Sequence, residues 1–141
     1  MHRRRGFTLV ELMFVVVILG VLMAIALPAF YRMRERAKEA HVKSNAHTVQ
    51  LAAEDFAASN SGVYAQDDTT VLPSGENIAD LVTPWIHNPF DPPDATPVIW
   101  TGPADAEGRI GYDSSIDPGV QYVIDGQGDG GVVLFTLTNG R

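Results

Sequence analysis

The chain has 141 residues, no cysteine and a formal net charge of −7. No disulfide can staple it and no thiol chemistry is open to it, and its length fits one small domain plus an anchor, not a large enzyme. Residues 1–43 hold 8 basic and 3 acidic groups, whereas residues 44–141 hold 2 basic and 14 acidic, so the acidic part repels nucleic-acid phosphates and general nucleic-acid binding by it is not expected.

The chain opens on Arg3-Arg4-Arg5-Gly6-Phe7-Thr8-Leu9-Val10-Glu11, and from Leu12 to Tyr31 no residue is charged. Those residues, at about 1.5 Å each, make about 30 Å of helix, the thickness of a bilayer's hydrocarbon core. Three export routes fit this composition. A cleaved secretory signal would use Arg3 to Arg5, the apolar core Leu12 to Met23 and the Ala24-Ile25-Ala26 site. A twin-arginine signal would use Arg4-Arg5-Gly6-Phe7. The third is a signal anchor that stays in the membrane. Arg3, Arg4 and Arg5 argue for a cytoplasmic N-terminus. Arg32, Arg34, Arg36 and Lys38 flank the other end, so charge bias alone leaves the topology open.

Gly6-Phe7-Thr8-Leu9-Val10-Glu11-Leu12 resembles the cleavage and methylation motif of type IV pilins and type II secretion pseudopilins. The likeness extends over about residues 1–60, with Pro28 matching as well. It implies a leader over residues 1–6, cut between Gly6 and Phe7 by a prepilin peptidase that works on the cytoplasmic face and methylates Phe7. That settles the orientation as a single pass in the bacterial inner membrane, N-terminus cytoplasmic, before passage into a periplasmic or extracellular filament. Glu11, four residues after Phe7, matches the family glutamate. A desolvated ammonium on Phe7 needs a counter-charge, and Glu11 supplies one, either within its own chain or toward a neighbouring subunit during assembly.

Residues 7–31 form the transmembrane and assembly helix, punctuated by Gly20 and Pro28. Pro28 removes a backbone donor, and in related pilins helicity is lost between the equivalent residues on packing. A helix break at Gly20 and Pro28 is therefore expected, as either a conditional soft segment or a static kink. Residues 32–60 continue the helix with an amphipathic face. Val42, Ala46, Val49, Ala53 and Phe56 recur at steps of four and three, one stripe down a helix. Ser59-Asn60-Ser61-Gly62 closes it, with Gly62 as the left-handed cap. Residues 7–59 make a spine of about 80 Å, too long for so small a globular part to bury. Its first half needs lipid or other copies of the chain.

Residues 61–141 read as a C-terminal globular domain. A short helix over Gly75 to Val82 is capped by Ser74. Pro84, Pro89, Pro92, Pro93 and Pro97 make the next stretch a loop, pinned by Trp85, Ile86 and Phe90. Asn88-Pro89-Phe90 resembles a string found in pilin-like sequences. Strand signals cover Val98-Ile99-Trp100, Arg109 to Tyr112, Val120 to Ile124 and Val132 to Thr138. The predicted fold class is α+β: a long N-terminal helical spine, its first half transmembrane, packed on a small antiparallel sheet.

Asp125-Gly126-Gln127-Gly128-Asp129-Gly130-Gly131 is the one site-like string beyond the leader. Its Asp125, Gln127 and Asp129 match the start of an EF-hand loop, but Thr136 stands where that loop needs glutamate. Major pseudopilins place a similar loop after a tyrosine-containing strand and hold calcium there. That resemblance makes Asp125 and Asp129, with Asp113 and Asp117 from the preceding turn, candidate Ca2+ ligands. The alternative is a tight hairpin that needs glycine for positive φ. No other cofactor is expected.

Catalysis has no visible constellation. His41 and His47 do not share a helix face, Ser114-Ser115 lacks the G-x-S-x-G elbow, and no P-loop occurs. The leading reading is a non-enzymatic subunit of a type IV pilus-like filament for motility, adhesion or DNA uptake. It polymerises with itself through an inner-membrane platform protein and an external assembly ATPase. The alternative is a major-type pseudopilin of type II secretion. The lack of a disulfide and the Asp-Gly loop favour the alternative, whereas Asn88-Pro89-Phe90-Asp91 stands where major pseudopilins carry Asp-Pro-Trp-Gly. A membrane-anchored binding or enzyme module is the third class.

Overall fold

The computed structural model describes residues 6–82, 85–94, 96–115 and 117–139. Arg3, Arg4 and Arg5 of the leader, and Pro84 of the proline-rich loop, lie outside the described residues. The chain divides into two compact units, Met1–Arg36 and Ala37–Arg141. The elements in chain order are α1 (Leu9–Ser59), α2 (Ile78–Val82), β1 (Val98–Ile99), β2 (Ile110–Asp113), β3 (Val123–Gln127), a 3₁₀ turn (Asp129–Gly131) and β4 (Val133–Thr138).

Helix α1 begins at Leu9, two residues after the expected start at Phe7, and is assigned as helix through Gly20 and Pro28. In the single chain, then, helical structure runs through both residues, with Pro28 inside it. Pro28 forfeits one backbone bond, and the bonds on either side hold the helix. In the first unit every residue of the apolar window is exposed. The far end of α1 closes with Ser61 at φ 57 and Gly62 at φ 85, and the Gly62 N–H reaches the Ala57 carbonyl at 2.7 Å. Gly62 is left-handed as expected, and Ser61 before it shares that conformation in a six-residue closure.

In the second unit the stripe Val42, Ala46, Val49, Ala53 and Phe56 is fully buried. It joins one core with Ile110, Tyr112, Tyr122 and Ile124, edged by Phe135 and Leu137. The sheet runs in the order β1-β2-β3-β4. β2, β3 and β4 pair antiparallel, but β1 pairs parallel with β2, Val98 opposite Ile110. The sheet is therefore mixed, not antiparallel throughout. Residues 100–109 carry the chain back to start β2 in the same direction as β1, which a tight hairpin cannot do.

Register explains which face packs. Ile110 lies opposite Gly126, Tyr112 opposite Ile124, and Gly126 opposite Phe135, so these alternate positions share the core face. Gly126 is required there: a Cβ would stand 2.7 Å from the Phe135 ring and 3.0 Å from Val42 Cγ1. Asp125, one residue away, points to the opposite face. β3 starts at Val123, not Val120, and extends through Gln127, so the first half of the expected Asp-Gly loop is strand.

Two further expectations change. Helix α2 is capped by Asn77, whose Oδ1 takes the Asp80 N–H at 2.8 Å while Asp80 Oδ2 takes the Asn77 N–H at 3.3 Å. This reciprocal capping box displaces Ser74 from the role. Ile86 is buried and Phe90 packs against the core, but Trp85 is 74% exposed and pins nothing.

Candidate functional site

The motif residues gather at the start of α1. Gly6 and Phe7 precede the helix and are exposed, Phe7 by 76%. Thr8 is the N-cap. Its hydroxyl accepts the Glu11 N–H at 3.2 Å, and Glu11 Oε2 takes both the Thr8 N–H and the Thr8 hydroxyl at 2.9 Å. This satisfies two helix-end donors that a membrane segment cannot leave bare. Glu11 thus has a local partner in the first turn, a position that also favours a carboxylate against the helix dipole. Thr8 is the residue that a counter-charge reading of Glu11 misses. Its signal was present, a threonine three residues before a glutamate at the head of an apolar run.

Beyond that turn, Leu12 to Tyr31 present apolar side chains all round, none buried within the chain. A helix that is apolar on every face needs a non-aqueous surrounding, so the segment is built to be covered. A Cβ at Gly20 would meet open space, so nothing within the chain demands glycine there.

The four candidate calcium ligands occupy different settings. Asp125 is buried in β3, and its two carboxylate oxygens take the Ala104 N–H at 3.1 and 3.2 Å. Asp129 is exposed in the 3₁₀ turn, where Gly130 and Gly131 adopt φ 70 and 73. The glycine-dependent hairpin is thus present, with Gly128 donating to the Val132 carbonyl at 2.8 Å. Asp113 ends β2 and takes the Ser115 N–H at 2.8 Å, and hydrogen bonding first from the Ser115 side chain and then from its backbone holds the carboxyl below the ordinary range. Asp117 is exposed, and its backbone carbonyl receives Val120 and Gln121. Among the described residues no group of three or more His, Cys, Asp or Glu could hold a metal ion.

The remaining polar chemistry of the second unit secures loops. Asn88, almost fully buried, donates to the Glu107 carbonyl at 2.8 Å and to Asp94 at 3.1 Å. Its own Oδ1 receives the N–H groups of Phe90 and Asp91. Hydrogen bonds from Arg109 hold the Asp94 carboxyl far below its ordinary value. On the core side, Tyr122 donates to Glu54 at 2.7 Å and Tyr112 to the Ala65 carbonyl at 2.8 Å. Burial pushes both phenols up. A cleft of about 580 Å³ beside β1 is lined by Val82, Ile86, Val98 and Trp100 with Asp68 and Asp94.

The described residues thus hold one helix long and apolar enough to cross a membrane, in a chain of pilin-like α+β class. Residues 1–27 match the family described as the prokaryotic N-terminal methylation motif. The chain is 46% identical over 54 residues to the type IV major pilin protein PilA of Myxococcus xanthus, covering 38% of this chain and 24% of that protein. It is 37% identical over 73 residues to the type IV narrow pilus major component PilA5 of Thermus thermophilus, covering 52% and 63%. It is 39% identical over 61 residues to the type II secretion system core protein G of Klebsiella pneumoniae, covering 43% and 44%. Together the motif and these relatives support the type IV pilin and type II secretion pseudopilin family. The chain spans less than two thirds of the length of each. No solved structure matches it.

Proposed function

We propose that the chain is a non-enzymatic structural subunit of a type IV pilus-like filament, anchored in the inner membrane and then polymerised. The observation that carries this reading is the helix Leu12 to Tyr31, apolar on every face and covered by nothing in its own chain. Lipid covers it before assembly and the same segment of sibling chains covers it afterwards. Prepilin peptidase removes Met1 to Gly6 and methylates Phe7, and an inner-membrane platform protein with its ATPase drives polymerisation. Glu11 passes from its Thr8 partner to the Phe7 amine of the adjacent subunit, which fixes axial register. Gly20 to Pro28 loses helicity as the segment packs. Intact-mass measurement of membrane-extracted protein tests the processing: the expected species lacks Met1 to Gly6 and carries one added methyl. A chain beginning at Leu27 would overturn the reading.

A second reading, a major-type pseudopilin of type II secretion, is favoured by the absence of cysteine and by the likeness to core protein G. A deletion strain separates the two. Loss of a surface fibre supports the first, and loss of protein export with fibres intact supports the second.

A further inference from the structure

His41 lies on α1 and His87 in the loop after α2, and their rings stand 4.5 Å apart, tilted by 52°. One turn along α1, Asn45 donates to the His87 backbone carbonyl at 2.9 Å and so fixes the loop against the helix. The His41 Nδ1 is buried and has no hydrogen-bond partner. Among the described residues neither ring has a carboxylate partner. The nearby cation is Lys38, whose Nζ sits 4.7 Å over the Phe90 ring.

We propose that His41 and His87 form a two-imidazole site for a borderline divalent transition-metal ion, with Zn2+ the expected occupant and water completing its coordination. An orphaned imidazole nitrogen beside a second imidazole is a donor set that suits Zn2+, Cu2+ or Ni2+ and not Ca2+, which takes oxygen ligands. With Zn–N bonds of about 2.0–2.1 Å, two rings on one tetrahedral ion have centroids about 5 Å apart. The pair therefore needs only a small opening, and the exposed His87 can provide it. Burial, and then the neighbouring His87, disfavour the charged form of His41, and a metal binds only the neutral ring. The ion would clamp α1 to the 85–94 loop.

The test is thermal unfolding of the untagged full-length chain in detergent, with zinc chloride as the probe. Zinc is expected to raise Tm in a concentration-dependent manner, magnesium chloride at the same concentration is not, and the zinc effect should vanish near pH 5. His87→Gln, at an exposed position, is expected to fold normally and to weaken zinc binding at least about tenfold, the least that loss of even an outer-sphere contact brings. His41→Gln should do the same, and isothermal titration reads the affinity without relying on its stability. No zinc shift, an equal shift with magnesium, or a shift surviving in both variants would overturn the site.

Discussion

Arg109 grips Asp94 through two parallel bonds, Nε to Oδ2 at 2.8 Å and Nη2 to Oδ1 at 3.1 Å. The same guanidinium reaches Asp105 at 3.1 Å. Asp94 sits in the proline-rich loop and Arg109 immediately before β2, so this pair ties the loop to the sheet. Asp94→Asn removes a charge-assisted bidentate contact and is expected to lower stability by about 1.5–3 kcal/mol. Chemical unfolding of the full chain in detergent measures it.

The same pair sets an acid response. The Asp94 carboxyl titrates well below its ordinary 3.8 because Arg109 and Asn88 hydrogen-bond the charged form. The folded chain thus binds fewer protons than the unfolded chain as pH falls below that value. The stability from this group is fully present above about pH 4 and is lost as pH falls further. Asp94→Asn should flatten the fall in Tm between pH 4 and 2, and an unchanged slope would assign the acid response to other carboxylates.

Gly126 lies against both Phe135 of β4 and Val42 of α1. Gly126→Ala places a methyl against the Phe135 ring and Val42, and overpacking of this kind costs about 1–3 kcal/mol. At roughly 4–8 °C per kcal/mol for a domain of this size, the loss is visible in a melting curve. Val42→Ala in the same chain should recover part of it by opening the facing position, and this double-mutant cycle reads the contact directly.

At the other end of the chain, Thr8→Val keeps the shape of the side chain but removes the cap. It should weaken the first turn of α1 by about 0.5–2 kcal/mol, seen as faster amide exchange over Leu9 to Glu11. Glu11→Ala removes the reciprocal half of the box and also the carboxylate that we propose pairs with a neighbouring subunit. The expected outcome is insertion in both variants, with filaments lost only in Glu11→Ala. Equal loss in both would reduce Glu11 to a capping residue.

Asp125 is committed to the Ala104 N–H on the face of the sheet away from α1. Asp125→Ala leaves that buried donor without its acceptor and should cost about 1–3 kcal/mol. Calcium is expected to leave the Tm of the parent chain unchanged. A calcium-dependent rise that Asp125→Ala and Asp129→Ala both abolish would establish the aspartate-glycine string as an ion site.

What the sequence determined by itself is local or periodic. An uncharged run of bilayer length, a contiguous cleavage motif and a stripe recurring at helical spacing each report on neighbours a few residues apart, and Val42 to Phe56 is buried as that spacing demands. The turn glycines of the last hairpin were legible for the same reason, because positive φ is a property of one residue. Tertiary structure alone decided what depends on register between distant segments. It set β1 parallel to β2 and turned Asp125 away from the hairpin onto the Ala104 loop. It left Trp85 exposed beside a buried Ile86 and carried His87 to His41 through an Asn45 bond spanning 42 positions. A strand shifted by one residue exchanges its faces, and no local pattern in the five-residue β3 fixes that choice. The closure of residues 100–109 over the sheet, made by Asp125, Asn88 and Arg109, fixes it.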